Sequence, residues 1–513
     1  MSKDYFIGMD IGTSGTKGVI TDINGRVLAQ TLEENGLHSA NPVWAEQDAS
    51  CYLDASIKVI STLASKSGIE PENIKAMCIS GLYGGSGIPL NSNMEPIHPC
   101  IIWMDRRAEK ECDQVSKLIS KEELFSITGN GIDPYFGFLK MLWLKNNRPD
   151  VWEKTAKFLT PNQYVIYKFT GSAVIDHTSA GNLGGIYDMR NHCWSQPLME
   201  KLGIPVSKLP EKIVRPQDIA GYLTKEAANQ LGLWEGMPVC AGCIDCLAST
   251  LATGALYAGQ HVAIVSTSIN WGVIHSELPT NPDYVSMPYL LEPEKMTYTY
   301  GGASTAGALL RWFRDEVMPF VMDEKGEPVP TNYSEMDKRA ENIEAGSRGL
   351  IVLPYFMGER SPIWDVNARG VVFGLTLQHS FVHIYHALLE AVAFSLRHIM
   401  ETSNIALSTN SSCTLVGGAS RSKLWRQIFA DVTGVPIIYS AENIEAPLGD
   451  ALIAAVGAGY VPDFEVIKNW VCFENRVEPN MENHAEYNRY YDLYKKLYLS
   501  LKDNMHALAK FGK

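Results

Sequence analysis

Phe6-Ile7-Gly8-Met9-Asp10-Ile11-Gly12-Thr13-Ser14-Gly15-Thr16-Lys17-Gly18-Val19-Ile20 returns far downstream as Val262-Ala263-Ile264-Val265-Ser266-Thr267-Ser268-Ile269-Asn270-Trp271-Gly272-Val273-Ile274. In both copies an apolar run leads into a Thr-Ser pair, and Gly-Val-Ile follows in the same register. Each copy therefore predicts a β-hairpin with short hydroxyl residues at its tip. Such a tip leaves backbone N–H groups open to an oxyanion, because no bulky side chain holds the ligand away. One Gly-Thr-Ser alone reads as an ordinary turn. Two in register, the first with Asp10 beside it, read as two related domains that each present a phosphate-gripping turn.

The size of the chain agrees. Its 513 residues exceed what one ordinary core organises, so two domains are expected, 1–253 and 254–513. The formal net charge is −13 and there is no basic run to follow a nucleic-acid backbone, so nucleic acid is not an expected partner. An acidic protein that binds a polyphosphate must supply local positive charge or a divalent cation. The opening Met-Ser-Lys-Asp-Tyr runs straight into the first strand, so no signal peptide is read. The apolar stretch from Ala446 to Val461 is too short to span a bilayer and contains Asp450. Ten scattered cysteines point to a reducing, cytoplasmic location. Cys240, Cys243 and Cys246 have C-x-x-C-x-x-C spacing, but no fourth ligand lies near, and they read as core residues around a buried strand.

Asn24-Gly25 between two apolar runs predicts a type I′ hairpin turn. A helix is expected over 49–66, a strand over 74–80, a glycine loop over 81–87, mainly helical structure over 109–202 and a strand over 237–243. A helix capped by Ser304 or Thr305 should turn Ala308, Leu309, Trp312 and Phe313 inward. A strand at 414–416 meets Gly417-Gly418, and a helix capped by Ser422 ends at Gly434. The last helix, 487–508, offers Tyr491, Leu493, Leu497 and Leu501 for packing. Strands alternating with helices give an α/β class. A hairpin opening each half suits two actin-like (ribonuclease-H-like) domains around an interdomain cleft. Neither G-x-x-x-x-G-K-[ST] nor G-x-G-x-x-G occurs, which argues against P-loop and dinucleotide-binding folds.

Phosphoryl transfer asks a protein for a metal, a phosphate cradle and a group that orients the attacking oxygen. Asp10 and Asp245 both sit at predicted strand ends beside glycine-rich turns. Asp10 can hold Mg²⁺. Asp245, as N-cap of a helix starting near Cys246, can accept a proton from a hydroxyl. Trp103, Asp105 and Arg107 bring an aromatic face together with charged donors and acceptors, as a polyol requires.

These residues fall in motifs that resemble the FGGY carbohydrate kinases. The motifs are Met9 to Ser14, Trp44-Ala45-Glu46-Gln47-Asp48, Trp103-Met104-Asp105-Arg106-Arg107, Gly242-Cys243-Ile244-Asp245, Gly358-Glu359-Arg360-Ser361-Pro362, Asn367 to Leu375, and Gly417-Gly418-Ala419 with Trp425-Arg426-Gln427. The resemblance runs over nearly the whole chain. It implies Asp245 as catalytic base and Asp10, Gly12, Thr13, Ser14 and Lys17 as a first phosphate site. It implies Ser266, Thr267 and Ser268 as a second, and Gly302, Gly417, Gly418 and Ala419 as adenosine-binding turns. Tyr83, Gly84, Trp103, Asp105, Arg107 and Asp245 would meet the sugar. ATP and Mg²⁺, the latter on Asp10 and Asp245, are the implied cofactors, and a small-molecule sugar is the implied partner; a homodimer is left open.

The Trp-x-Glu-Gln-Asp element, Leu142-Trp143-Leu144-Lys145 and Asn367 to Leu375 look most like the xylulokinase branch. That branch carries Gly-Gln-Met-His-Gly where this chain has Gly81-Leu82-Tyr83-Gly84-Gly85, and Ser266 replaces the usual glycine. D-xylulose is therefore the first expected acceptor, with gluconate, ribulose, glycerol or a tetritol as alternatives. An actin-like ATPase or a sugar sensor without kinase activity is the alternative of another class.

Overall fold

Phe6, Ile7, Met9 and Ile11 are fully buried, so the strand Tyr5–Ile11 has apolar surroundings on both faces and takes the centre of a sheet. Gly8 lies in its middle, where a Cβ would stand 1.9 Å from the carbonyl oxygen of Pro447; the glycine lets the helix Ala446–Gly457 lie directly on the strand. This is a computed structural model, and it describes residues 3–39, 41, 43–82, 84–323, 325–407, 411–440, 445–473 and 475–511.

The first sheet has six strands in the order Ile219–Tyr222, Pro238–Cys240, Ile74–Gly81, Tyr5–Ile11, Gly15–Asp22, Val27–Glu34. Tyr5–Ile11 and Pro238–Cys240 run parallel to Ile74–Gly81, while the two strands that continue the opening hairpin are antiparallel. The second sheet repeats the pattern. Thr297–Ala303, Ile269–His275, His261–Val265, Cys413–Val416, Ile437–Tyr439 and Asn475–Val477 are neighbours in that order. His261–Val265 pairs antiparallel with Ile269–His275 and parallel with Cys413–Val416, which is parallel to Ile437–Tyr439. Apart from the added edge strand Val285–Pro288, the same order occurs twice, and the hairpin and parallel pairings at its centre have the same senses. The α/β, actin-like (ribonuclease-H-like) class expected from the repeated hairpin is therefore the class observed.

The chain forms two compact units that are not single stretches. One comprises 1–258, 274–299 and 444–472; the other comprises 259–273, 300–443 and 473–513. The division expected at 253/254 thus becomes several crossings. Segment 444–472 belongs with the first unit because its helix Ala446–Gly457 covers Gly8 and packs against the helix that begins at Asp245, where a Cβ on Gly449 would be 2.1 Å from the Ala248 carbonyl oxygen.

Several local expectations are corrected. The turn after Gly15–Asp22 is not type I′: Gly25 has φ 79°, whereas Asn24 is not at positive φ. The Asp22 carboxylate accepts the N–H groups of Asn24 and Arg26 and opens a longer turn closed by Gly25 N–H on the Asp22 carbonyl. The helix after Gly301-Gly302 spans Gly307–Trp312 with Ala306 as its N-cap; Leu309, Leu310 and Phe313 are buried while Trp312 is exposed. The final helix spans Met481–Phe511 and buries Tyr487, Tyr491, Tyr494 and Tyr498, leaving Leu493 exposed. The helix Lys423–Thr433 does have Ser422 as its cap, whose hydroxyl accepts the Trp425 N–H, and ends at Gly434 in a left-handed conformation. Among the described residues no helix is long and apolar enough to cross a membrane.

Candidate active site

The two hairpin tips are built alike. In the first, Gly12 N–H bonds the Gly15 carbonyl across the loop; in the second, Ser266 N–H bonds the Ser268 carbonyl. The first tip is braced from outside. Asn35 donates its amide to the Gly12 carbonyl, Gln47 donates to the Thr13 carbonyl, and the Trp103 indole N–H donates to Thr13 Oγ1 at 3.0 Å. Ser14 is exposed at the end of the loop.

Asp10 ends the central strand, with Ser80 and Lys17 as its register partners on either side. Burial pushes its carboxyl up to about 7, against the pull of Lys17 and with the charge of Glu445 adding. Its Oδ1 is enclosed with no hydrogen-bond partner. Lys17 makes an ion pair with Glu445 at 2.9 Å, both side chains being more than one-third exposed.

Asp245 arrives through a tight bend. Gly242 has φ 73°, and a Cβ there would lie 1.9 Å from the Ile79 carbonyl oxygen. The strand of this segment is correspondingly short, Pro238–Cys240, and not the whole of 237–243. Cys240, Cys243 and Cys246 are buried free thiols around the bend. Ile244, not Asp245, is the N-cap; Asp245 is the first residue of the helix Asp245–Ala252, and its Oδ1 accepts the Cys246 N–H at 2.6 Å. A carboxylate in a helix's first turn is favoured by the dipole. Here burial and the neighbouring Asp10 charge outweigh that and push the Asp245 carboxyl well above the usual range. Asp10 and Asp245 lie close enough for the charge of one to raise the other, and Asp10 Oδ1 is buried without a hydrogen-bond partner, an arrangement that a divalent cation would relieve. Two carboxylates leave the other positions of such an ion to water and phosphate oxygens, which suits Mg²⁺.

The sequence reading missed two groups here. Asp450 is fully buried in Ala446–Gly457, accepts Ser80 Oγ at 2.6 Å and is pushed up mainly by burial; an acid in an otherwise apolar stretch was its signal. Thr178, held by Asp176, accepts the Ile244 N–H at 3.1 Å and so supports the backbone that carries Asp245. A small cavity lined by Gly84, Gly85, Ser179, Asn182 and Ile244 opens in the same unit.

Around the expected sugar residues the structure sorts roles. Gly84 has φ 66°, and a Cβ there would meet Trp103 Cβ at 2.8 Å and the Tyr135 ring at 3.0 Å, so Gly84, Trp103 and Thr13 converge. Asp105 is fully buried and both its oxygens are engaged by the Arg107 side chain, the Arg107 N–H and the Ala45 N–H. Arg107 also donates to Glu46 at 2.6 Å and has its guanidinium 3.9 Å from the Trp44 ring centroid and 4.8 Å from that of Trp143. These two residues, expected as direct sugar contacts, are instead spent on bracing the loop that holds Trp103. Tyr83 lies outside the described residues.

In the other unit a cavity of about 1220 Å³ is lined by Ser266, Thr267, Gly418 and Ala419. Gly418 faces open space with nothing within 4 Å of where a Cβ would be, so a planar base can approach its backbone. Gly417, with φ 92°, passes against the Val265 carbonyl, and Gly302 makes room for the Arg360 guanidinium 2.6 Å from its absent Cβ; both glycines serve protein contacts. Arg311, Arg314, Lys338, Arg421, Lys423 and Arg426 line the cavity against Asp337 and Glu341, which supplies the local positive field an acidic protein needs. Arg426 lies 3.8 Å from the Tyr439 ring centroid, and its Nε is buried without a partner. Glu359 accepts the N–H groups of Ser304 and Arg360, while Arg360 reaches the Ile269 and Ala303 carbonyls, so this segment ties the turns of that unit together.

Comparison with known proteins identifies the family. Residues 5–252 match the N-terminal domain, and residues 262–458 the C-terminal domain, of the FGGY family of carbohydrate kinases. A xylulose kinase from Bacillus subtilis is 28% identical over 514 residues, covering 99% of each chain. A ligand-bound xylulose kinase from Lactobacillus acidophilus superposes with a TM-score of 0.87 at 28% identity, covering 97% of this chain and 98% of the other. A gluconate kinase from the same organism gives a TM-score of 0.87 at 27% identity over 97% of this chain and 98% of its own.

Proposed function

We propose, from the premise that this chain belongs to the FGGY family of carbohydrate kinases, that it transfers the γ-phosphoryl group of ATP to a hydroxyl of D-xylulose. The observation that carries the mechanism is the half-buried Asp245 carboxyl beside Asp10, raised in basicity by desolvation and like charge. A carboxylate so raised accepts a proton from an attacking hydroxyl more readily than an ordinary aspartate, a contribution of about 10²–10⁴ in rate. Thr178 fixes the backbone at Ile244 and hence the direction of Asp245. Trp103, held by Thr13, and the small cavity beside Gly84 form the acceptor side of the site. Ser266, Thr267 and the Gly418-Ala419 turn take the nucleotide, with the surrounding arginines balancing phosphate charge. Asp10 with Asp245 would hold Mg²⁺, which when bound neutralises charge on the phosphates.

The full-length likeness to xylulose kinases supports the ketopentose. The absent Gln-Met-His element and the equal likeness to a gluconate kinase make gluconate the second candidate. The test is ADP production by the purified protein, coupled to NADH loss, across D-xylulose, D- and L-ribulose, L-xylulose, gluconate, glycerol and erythritol. D-xylulose should stimulate turnover most. A larger response to another sugar replaces the acceptor; ADP release indifferent to every sugar overturns the kinase reading.

A further inference from the structure

Lys140 is a lysine with no exposed surface. Its Nζ donates to the carbonyl oxygens of Gly84 at 2.9 Å, Pro134 at 2.6 Å and Tyr135 at 2.6 Å. An ammonium has three donors, and all three are used. Burying a lysine is costly, and a methionine of similar length would fill the same volume without that cost. What the lysine adds is a tie among carbonyls from two loops. One of them belongs to Gly84, whose N–H is in turn accepted by Asn182 Oδ1 at 2.9 Å. The Gly84 residue is thus gripped at both its N–H and its carbonyl. The neighbouring Gly85 carbonyl presses onto the helix Gly137–Asn147 that carries Lys140, where a Cβ on Gly137 would be only 2.2 Å away. Gly84, Gly85 and Asn182 line the small cavity together with Ile244, the residue before Asp245.

We propose that Lys140, with Asn182, is a positioning residue of the acceptor site: the two side chains clamp Gly84 and thereby set the affinity for the sugar hydroxyls. The inference rests on the sugar-kinase reading given above. Lys140 touches no reacting atom; it acts through the backbone it holds. Only the ammonium can serve all three carbonyls, since a neutral amine has two N–H groups. Burial moves its ionisation down to about 7, with Asp105, Asp133 and Cys100 opposing that shift and Arg106 adding to it. The clamp accordingly loosens on the alkaline side.

The experiment compares the full-length protein with Lys140→Met and Asn182→Ala. The Michaelis constants for sugar and ATP are measured from pH 6 to 9, and hydrogen exchange is followed at the amides of residues 84–87. Loss of one supporting hydrogen-bonded contact should raise the sugar KM by about tenfold, leaving the ATP KM within about twofold. The unsubstituted protein should show a sugar KM that rises with pH, and Lys140→Met a raised KM without that rise. Exchange at 84–87 should quicken in both variants. If Lys140→Met does not fold, Asn182→Ala carries the same test from the other side of Gly84. Unchanged sugar KM and unchanged loop exchange in a folded variant overturn the clamp. Should the unsubstituted protein turn over no sugar, the function itself fails and the acceptor role with it. The exchange measurement then shows separately whether Lys140 still holds Gly84.

Discussion

Replacing Asp10 by asparagine keeps its shape and removes its charge, and the structure gives both the sign and the size of the result. The folded protein holds this carboxyl up near 7, chiefly by burial, against an ordinary value of 3.8. A carboxyl whose folded value is raised binds its proton more tightly in the native state. Its contribution to stability is therefore complete below the ordinary value and is lost as pH rises through about 7. Roughly three units at about 1.4 kcal/mol each make about 4 kcal/mol for a group sealed from water. Asp10 keeps some surface, so about half of that, about 2 kcal/mol, is expected. Asparagine does not titrate. The stability of Asp10→Asn relative to the original protein should therefore grow by about 2 kcal/mol between pH 4 and pH 7.5 and level off above. In thermal melts that is a gain of about 3 °C at the alkaline end. The same variant should need more Mg²⁺ and turn over about 100-fold more slowly, having lost the carboxylate proposed to hold the metal. Melting curves for the two proteins that stay parallel across this pH range would refute the claim that Asp10 is a strained, enclosed carboxyl.

Asp245→Asn should fold and bind both substrates yet lose about 10²–10⁴ in kcat, and the fall of kcat toward acid pH, caused by protonation of the raised carboxyl, should vanish with it; a variant within a few-fold of the original removes Asp245 as base. Gly242→Ala places a Cβ 1.9 Å from the Ile79 carbonyl at φ 73°, whereas Gly171→Ala has a similar φ of 75° with nothing within 4 Å. The second should lose only about 1–2 kcal/mol from backbone strain, and the first clearly more, with kcat falling because Asp245 is displaced; equal losses in urea melts would deny the close approach. Ser422→Ala removes the cap that accepts the Trp425 N–H at 3.0 Å and should cost about 1 kcal/mol. Since that helix lines the cavity proposed for the nucleotide, the ATP KM should rise while the sugar KM stays, and the reverse pattern would move the nucleotide elsewhere.

The sequence by itself determined the repeated hairpin, the α/β class, the caps at Ser422 and Gly434, and the placing of Asp10 at the end of a strand; Asp245, expected at a strand end, opens a helix instead. These features follow from backbone chemistry within a few residues: strand periodicity, glycine in turns and hydroxyls that can accept an N–H. Only the tertiary structure decided which groups are spent. Asp105 and Arg107 read as a sugar-facing pair, yet Trp44, Trp143 and Glu46 close around them. The last helix reads as offering Tyr491, Leu493, Leu497 and Leu501, yet Leu493 is exposed and Tyr487, Tyr494 and Tyr498 turn inward beside Tyr491, their hydroxyls meeting Glu390, Tyr355 and Asp365. Lys140 and Asn182 showed nothing in the sequence, since the residue they share lies 56 and 98 positions away. A pattern of residue types reports what a segment can do with its own backbone. Burial and partners across long stretches of chain decide whether a charge is free to meet a substrate or is already held.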